Sequence, residues 1–203
     1  MWYAEIKYGT GVVPRVEDRK WGHMKVIVVD VQKGITDTRL YNYEGFLVRV
    51  KRLLTAARQS NVEVIYVKHD DGPGSGFSVG DEDFEIADAL APMEGEKVFV
   101  KEYNSCFSNK KFEAYLEECE ENTLIVVGLQ SDFCINATIQ SAFDREYRII
   151  VPKGCNTTFD NDYMDGATTY RFYNEYVWPD RFAQCISVED TIHLMLGQRR
   201  LAI

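Results

Sequence analysis

The chain has 203 residues, of which 45% are hydrophobic, and its formal net charge is -9. This length and composition are sufficient for one full hydrophobic core, so we expect a single domain. The acidic balance argues against nucleic-acid and anionic-membrane partners, and no apolar run reaches the roughly 18 residues that a membrane-spanning helix needs.

The N-terminal segment lacks the apolar stretch of a secretory signal peptide. Met24 opens the apolar run MKVIVVD, so we interpret residues 1–23 as a tail or leader and residues 24–203 as the single domain. The five cysteines are odd in number and widely spaced, and no CxxC pair occurs. This usage favours reduced thiols in the cytoplasm over disulfides, a zinc ribbon or a thioredoxin-type site.

Six short runs rich in valine and isoleucine are typical of strands. Most of them lack a polar alternation, which indicates burial on both faces and therefore a parallel sheet. The predicted strands are residues 25–31, 62–69, 97–103, 123–129, 148–153 and 185–188.

Helical periodicity lies between these runs. Ser108 is the predicted N-cap of the second helix, and Ser187 with Asp190 forms a capping-box pattern before the last one. Alternating strands and helices imply right-handed βαβ crossovers and a three-layer α/β/α domain. Its six-stranded parallel sheet is expected to be doubly wound, in the order 3-2-1-4-5-6. The predicted helices are residues 44–60, 108–120, 134–146, 162–177 and 189–196.

Three reactive side chains fall near strand ends, where open parallel sheets build their sites. Asp30 ends the first predicted strand, Lys101 lies in the third, and Cys134 opens the helix after the fourth. Singly, the aspartate can be a turn former, the lysine can extend from an edge strand to solvent, and the cysteine can be core filler. Together they predict an activated nucleophile, because a helix N-terminus and an ammonium lower the pKa of a thiol and a carboxylate accepts its proton.

One distance works against this grouping. In the expected strand order, the third strand lies two positions from the first, which is about 10 Å. Lys101 must therefore extend over the end of the second strand to reach Asp30.

Four segments occur in an order that resembles a known family: VIVVDVQ (26–32), YVKHDDGPGSG (66–76), GEKVFVKEYNSCF (95–107) and LIVVGLQSDFCINATIQSAFDREYRIIV (124–151). With these segments the chain resembles the isochorismatase-like cysteine hydrolases, which include nicotinamidases and N-carbamoylsarcosine amidases, over residues 24–190. The resemblance implies a catalytic triad of Asp30, Lys101 and Cys134. It also implies hydrolysis of a small-molecule amide or related C–N bond through a thioester, without a cofactor.

The resemblance further implies an oxyanion hole made by the backbone N–H groups of Gln130 and Cys134. It places a non-proline cis peptide between Leu129 and Gln130. The nicotinamidase branch binds a divalent metal through an aspartate and several histidines, but the corresponding segment here, residues 36–46, contains no histidine. We therefore expect no transition-metal site, and a nicotinamidase-type amidase remains an alternative.

Four residues beside the triad are expected to line the substrate pocket: Gln32, His69, Tyr103 and Phe133. Phe133 would form an apolar wall against a planar substrate. The second alternative is a doubly wound ligand-binding module without enzymatic activity, which predicts an open phosphate-sized cleft and an inert thiol. The segment GPGSG (72–76) lacks the spacing of a phosphate loop, and we interpret it as a flexible loop near the site.

The remaining cysteines, Cys106, Cys119, Cys155 and Cys185, are expected to be packing residues. The aromatic-rich segment YRFYNEYVW (170–178) favours either core packing or a subunit interface. Relatives in the family are commonly oligomeric, so the expected partners are a small-molecule substrate and further copies of the chain, as a dimer or tetramer.

Overall fold

A computed structural model of the protein describes residues 24–119 and 122–197, so the proposed tail of residues 1–23 lies outside the described part. The strands form one sheet in the order β3-β2-β1-β4-β5-β7, with the short β6 paired to β4. Every strand pair in it is parallel, which confirms the doubly wound prediction. The strands are β1 Met24–Val29, β2 Glu63–His69, β3 Lys97–Lys101, β4 Thr123–Leu129, β5 Arg148–Pro152, β6 Asn156–Thr157 and β7 Gln184–Ile186.

α-Helices follow β1, β3, β4, β6 and β7, whereas a long segment with a single 3₁₀ turn at Asp88–Leu90 joins β2 to β3. π-Helical turns lie at Ser131–Ile135, directly before α3, and at Phe172–Val177, directly after α4. No helix in the described ranges is long and apolar enough to cross a membrane. The helices are α1 Tyr43–Gln59, α2 Lys110–Glu117, α3 Asn136–Asp144, α4 Gly166–Arg171 and α5 Val188–Met195.

The core has two halves, one on each face of the sheet. Along β1, Val26 and Val28 pack into a cluster with α1 and α5, while Ile27 and Val29 pack into a second cluster with α2 and α3. Successive side chains of a strand point to opposite faces, so a strand that is buried on both faces must be apolar throughout. This explains the unbroken apolar runs in the sequence.

The predicted helix caps have different outcomes. The cap of α2 is Asn109, whose Oδ1 accepts hydrogen bonds from the N–H groups of Lys111 and Phe112. The prediction of Ser108 is therefore wrong, because that hydroxyl instead donates to the carbonyl of Ser105. Ser187 caps α5 as predicted, since its Oγ accepts from the N–H of Asp190 at 3.0 Å.

Candidate active site

The Lys101 ammonium is the centre of a buried cluster at the carboxyl edge of the sheet. Its Nζ lies 2.9 Å from Asp30 Oδ2, 2.9 Å from His69 Nδ1 and 3.3 Å from Cys134 Sγ. Lys101 is only 1% exposed and Asp30 only 2%. The three side chains that the sequence singled out therefore meet in one place, and each charged group has a partner of the opposite sign.

The strand register explains how Lys101 reaches across two strand positions. His69, the last residue of β2, lies opposite Lys101 in the β2–β3 pairing. The N–H of Asp30 donates to the carbonyl of Val67 at 2.9 Å, which keeps the end of β1 close to β2. The lysine side chain therefore passes over the end of β2, as the expected strand order requires.

Asp30 is held in an unusual backbone conformation. Its φ angle is 53°, in the left-handed region that aspartate tolerates better than most residues. Oδ2 accepts from Lys101, whereas Oδ1 is buried and has no hydrogen-bond partner among the described residues. Burial raises the pKa of the Asp30 carboxyl, against the opposing effect of the Lys101 charge. Asp30 is consequently a stronger base than an ordinary carboxylate, with one oxygen free to accept a proton.

Cys134 lies in the π-helical turn that leads into α3 and is 8% exposed. The sequence predicted a lowered pKa for this thiol, and the direction is wrong. Burial and the negative charge of Asp30 raise the pKa of Cys134, and together they outweigh the opposing effect of Lys101. The resting group is therefore a neutral thiol, and a base must remove its proton when it reacts.

The turn before Cys134 depends on a close approach of β4 to β1. Gly128 has a φ of 120°, and a Cβ at this position would lie 2.0 Å from the carbonyl oxygen of Val29. Only glycine fits this position, directly beside Asp30. The peptide bond between Leu129 and Gln130 is cis, as the resemblance implied.

Buried amide and hydroxyl groups support the same turn. Ser131 Oγ donates to Asn156 Oδ1 at 2.6 Å, and Asn156 exchanges amide hydrogen bonds with Asn174. Thr158 Oγ1 lies 2.5 Å from Asp132 Oδ1 and 3.3 Å from Gln130 Oε1. These contacts anchor the segment that precedes the thiol. Sequence reasoning missed them, because isolated asparagines and threonines carry no distinctive pattern.

A match to a protein-family model agrees with this geometry. The model described as the isochorismatase domain matches residues 25–190. The chain belongs to the isochorismatase family. It is therefore a hydrolase of that family, and the matched segment includes all three members of the buried cluster.

Characterised and solved relatives of this isochorismatase-family hydrolase extend over most of its length. It is 24% identical over 191 residues to the ureidoacrylate amidohydrolase RutB of Agrobacterium fabrum, covering 75% of this chain and 84% of that protein. It is 26% identical over 137 residues to a streptothricin hydrolase of Streptomyces noursei, covering 66% and 50% respectively. The crystal structure of a cysteine hydrolase from Pseudomonas syringae superposes with a TM-score of 0.80 at 25% identity, covering 86% of this chain and 93% of that one.

Two polar residues of this isochorismatase-family hydrolase complete the surroundings of the cluster. Because an ammonium only donates, His69 Nδ1 must accept from Lys101, and Nε2–H then donates to Asp71 Oδ1 at 3.0 Å. His69 thus bridges Lys101 to the loop after β2. Asn104, which sequence reasoning did not select, lies with its Oδ1 3.7 Å from Cys134 Sγ.

The other predicted pocket residues divide into two groups. Gln32 is fully buried. Its Nε2 donates to the carbonyl oxygens of His69 and Phe84, and its Oε1 accepts from the N–H of His69. It therefore positions the end of β2, and the structure does not support the predicted pocket-lining role. Tyr103 is 71% exposed and Phe133 is 52% exposed, so neither ring packs into the hydrophobic core. Contact of these two rings with substrate stays a prediction.

The remaining cysteines are all free thiols. Cys106 and Cys155 are fully buried, as expected of packing residues, whereas Cys119 and Cys185 are half-buried. Cys106 lies in the same apolar cluster as Cys134, and burial raises its pKa to about 12. Its thiol is therefore neutral.

Ligand atoms of Asp30, His69 and Cys134 lie within 4.8 Å of one another, a spacing that could hold a metal ion. The Lys101 ammonium, however, contacts all three groups. A cation bound by them would therefore face a buried positive charge at close range, which is unfavourable in a poorly solvated site. The donor set does not fit a resident metal.

Proposed function

We propose that this protein is a metal-independent cysteine hydrolase that cleaves a small-molecule amide or related C–N bond through a thioester. The observation that carries the proposal is the contact of one buried ammonium with both Asp30 and Cys134. The names of two relatives, an amidohydrolase and a streptothricin hydrolase, support C–N chemistry. The Lys101 ammonium supports a mechanism without a metal ion.

In the acylation step, Asp30 Oδ1 takes the proton of the Cys134 thiol while Sγ attacks the substrate carbonyl carbon. The raised pKa of Asp30 suits this role, because it makes the carboxylate a stronger base toward the thiol. The C–S bond forms, and the carbonyl electron pair moves to oxygen. As the pair returns, the C–N bond breaks and Asp30 gives the proton to the leaving nitrogen. The products of this step are ammonia or an amine and a thioester on Cys134.

In the deacylation step, water attacks the thioester carbonyl and Asp30 accepts a proton from it. The C–O bond forms and the C–S bond breaks, and Asp30 returns the proton to Cys134. A carboxylic acid, or a carbamic acid when the substrate is a ureide, leaves the site. Burial alone would lower the pKa of Lys101, but the Asp30 carboxylate and the sulfur atoms of Cys106 and Cys134 together raise it, so Lys101 is an ammonium in the resting site. It favours the thiolate as it forms and holds the carboxylate in place.

The negative oxygen of each tetrahedral intermediate would be stabilised by the backbone N–H groups of Gln130 and Cys134. Both belong to the turn that the hydrogen bonds of Ser131, Asp132 and Thr158 hold in place. A fixed turn supports such a role, because donors that need no reorganisation stabilise developing charge most effectively. Phe133, half-exposed beside the thiol, would form a wall of the substrate pocket.

A panel of small primary amides and ureides, with release of ammonia as the readout, tests this proposal. Nicotinamide belongs in the panel, because it tests the nicotinamidase-type alternative. We expect turnover of at least one compound, unchanged by prior treatment with EDTA and abolished by Cys134→Ala. Turnover that is lost on chelation and restored by a divalent metal would contradict the metal-independent mechanism. Full activity of Cys134→Ala would contradict the thioester.

A further inference from the structure

A cavity of about 230 Å³ lies at the start of α1, between that helix and the segment after β5. It is smaller than the roughly 300–1,000 Å³ of sites for drug-sized ligands, so its volume suits a compact molecule. None of the residues that line it takes part in the proposed proton transfers or in the attack on the substrate. They are Tyr41, Asn42, Phe46, Arg49, Lys153, Gly154, Asn156 and Tyr170.

The lining of this cavity is cationic although the chain is acidic. Arg49 and Lys153 contribute two positive charges, and the lining contains no carboxylate. Within residues 24–119 and 122–197, neither side chain forms an ion pair, and Arg49 Nη1 is a buried nitrogen without a hydrogen-bond partner. Burying an arginine N–H donor without a hydrogen-bond partner costs free energy. The unpaired Arg49 Nη1 therefore indicates that an acceptor, such as a bound anion, belongs beside it.

Two glycines create the space that the Arg49 guanidinium occupies. A Cβ at Gly154 would lie 2.7 Å from Arg49 Cδ, and a Cβ at Gly45 would lie 2.6 Å from Nη1. Larger residues at either position would displace the side chain. The two glycines thus leave room for the guanidinium in its present position.

Further donors face the same space. Tyr170 Oη accepts a hydrogen bond from the N–H of Gly154 at 2.8 Å, which leaves its own proton available to donate. Asn42 precedes α1, but its side chain does not cap the helix. The cavity therefore combines charged and neutral donors around one volume, as an oxyanion requires.

This cavity is separate from the thiol site. Phe46 belongs to the apolar cluster on the α1 side of the sheet, whereas Cys134 belongs to the cluster on the α3 side. Asn156 links the two, because it lines the cavity and also accepts the hydrogen bond from Ser131. No member of the buried Asp30–Lys101–Cys134 cluster contributes to the lining.

We propose that this cavity is a second binding site, for a small molecule that carries a carboxylate or phosphate group. The oxyanion would accept from Arg49 Nη1 and Tyr170 Oη and would be neutralised by Arg49 and Lys153. The start of α1 adds the favourable end of a helix dipole. The proposal does not rest on the thioester mechanism.

Isothermal titration calorimetry of the full chain with inorganic phosphate, and separately with glutarate, tests the site without any turnover. We expect saturable binding of one or both anions, weakened about tenfold or more in Arg49→Gln and in Lys153→Gln. Binding of phosphate alone assigns a phosphate-bearing ligand, and binding of glutarate alone assigns a carboxylate-bearing one. If Arg49→Gln fails to fold, Lys153→Gln decides.

Arg52→Gln is the matched control, because it removes the same charge from the same helix. Arg52 is exposed and pairs with Glu189, outside the cavity. Its affinity for the anion should equal that of the wild type. Equal weakening in Arg52→Gln and Arg49→Gln, or no saturable binding of either anion up to about 10 mM, would overturn the proposal. Neither result would affect the thioester mechanism.

Discussion

Lys101 Nζ lies 2.9 Å from Asp30 Oδ2, although β2 separates the strands that carry them. Both groups are buried, so removal of one partner leaves the other charge without compensation. We expect Lys101→Met to lower the free energy of unfolding by about 3–5 kcal/mol, because breaking a buried pair costs that much. We also expect it to abolish turnover. Urea denaturation and an activity assay measure the two effects.

The double variant Asp30→Asn with Lys101→Met distinguishes the two roles of this pair. It removes both charges, so most of the lost stability should return while activity stays absent. Lys51→Met, a change of an exposed lysine on α1, serves as the control for the lysine substitution. Wild-type stability of Lys101→Met would show that the pair does not hold the site together.

Asp30→Asn should have opposite effects on hydrolysis and on alkylation. The Asp30 charge helps to raise the pKa of Cys134 while Lys101 acts against it. Without that charge the thiol pKa falls, and the thiolate fraction at neutral pH rises about tenfold for each unit of the fall. Alkylation of Cys134 by iodoacetamide should therefore be faster than in the wild type, and turnover should be lost. The pH dependence of the alkylation rate measures the shift; an unchanged or slower rate would contradict the assigned cause.

Gly128→Ala tests the close approach of β4 to β1. The added Cβ would lie 2.0 Å from a backbone oxygen, so a shift of one strand is unavoidable. We expect a loss of about 4 kcal/mol or more in stability, together with loss of activity. Gly80→Ala is the control, because Gly80 also has a positive φ but has no neighbour within 4 Å of its Cβ position. The thermal melt of Gly80→Ala should show a smaller loss of stability, about 1–3 kcal/mol, which is the cost of backbone strain alone.

Glu63 should stabilise the fold in a pH-dependent way. Burial alone would raise the pKa of Glu63, but hydrogen bonds from Lys25, Lys97 and Tyr115 outweigh it and lower the pKa to about 2. A carboxyl group whose pKa is lowered by folding stabilises the native state at pH values above its pKa in the unfolded chain, which is 4.5 for Glu63. This stabilisation is lost as the pH falls from 4.5 toward 2. Glu63→Gln should therefore melt at a lower temperature than the wild type at pH 7. The difference in melting temperature between Glu63→Gln and the wild type should disappear as the pH falls from about 4.5 to 2.

Thermal melts of Glu63→Gln and Glu94→Gln across this pH range make the comparison. Glu94 is an exposed residue in the turn before β3. A stability gap that does not depend on pH would show that Glu63 acts through packing, independently of its charge.

The sheet could be predicted from the sequence because its strands are apolar on both faces, as Val26 and Ile27 illustrate. The grouping of Asp30, Lys101 and Cys134 followed from their positions at strand ends. The sequence does not reveal how deeply a site is buried, and burial reverses the expected direction of the Cys134 pKa. For the same reason Gln32, chosen for its place beside Asp30, proved to be a buried backbone contact.

The π-helical turn and its anchors could not be predicted. Ser131, Asn156 and Asn174 are far apart in the chain, and only the folded arrangement of β4, β6 and the segment after α4 brings them together. The predicted N-cap of α2, Ser108, is one residue away from the observed cap, Asn109. The two residues are neighbours and both types are good caps, so the sequence alone could not distinguish them.

The central claim is that Cys134 forms a thioester with the substrate. Acid quenching during turnover, followed by intact-protein and peptide mass spectrometry, tests it most directly. The account predicts a mass increase equal to the acyl group on the peptide that contains Cys134. This adduct should be absent from Cys134→Ser and present in Cys155→Ser, a buried cysteine outside the site. Turnover at the wild-type rate in Cys134→Ser, or an adduct that persists in that variant, would contradict it.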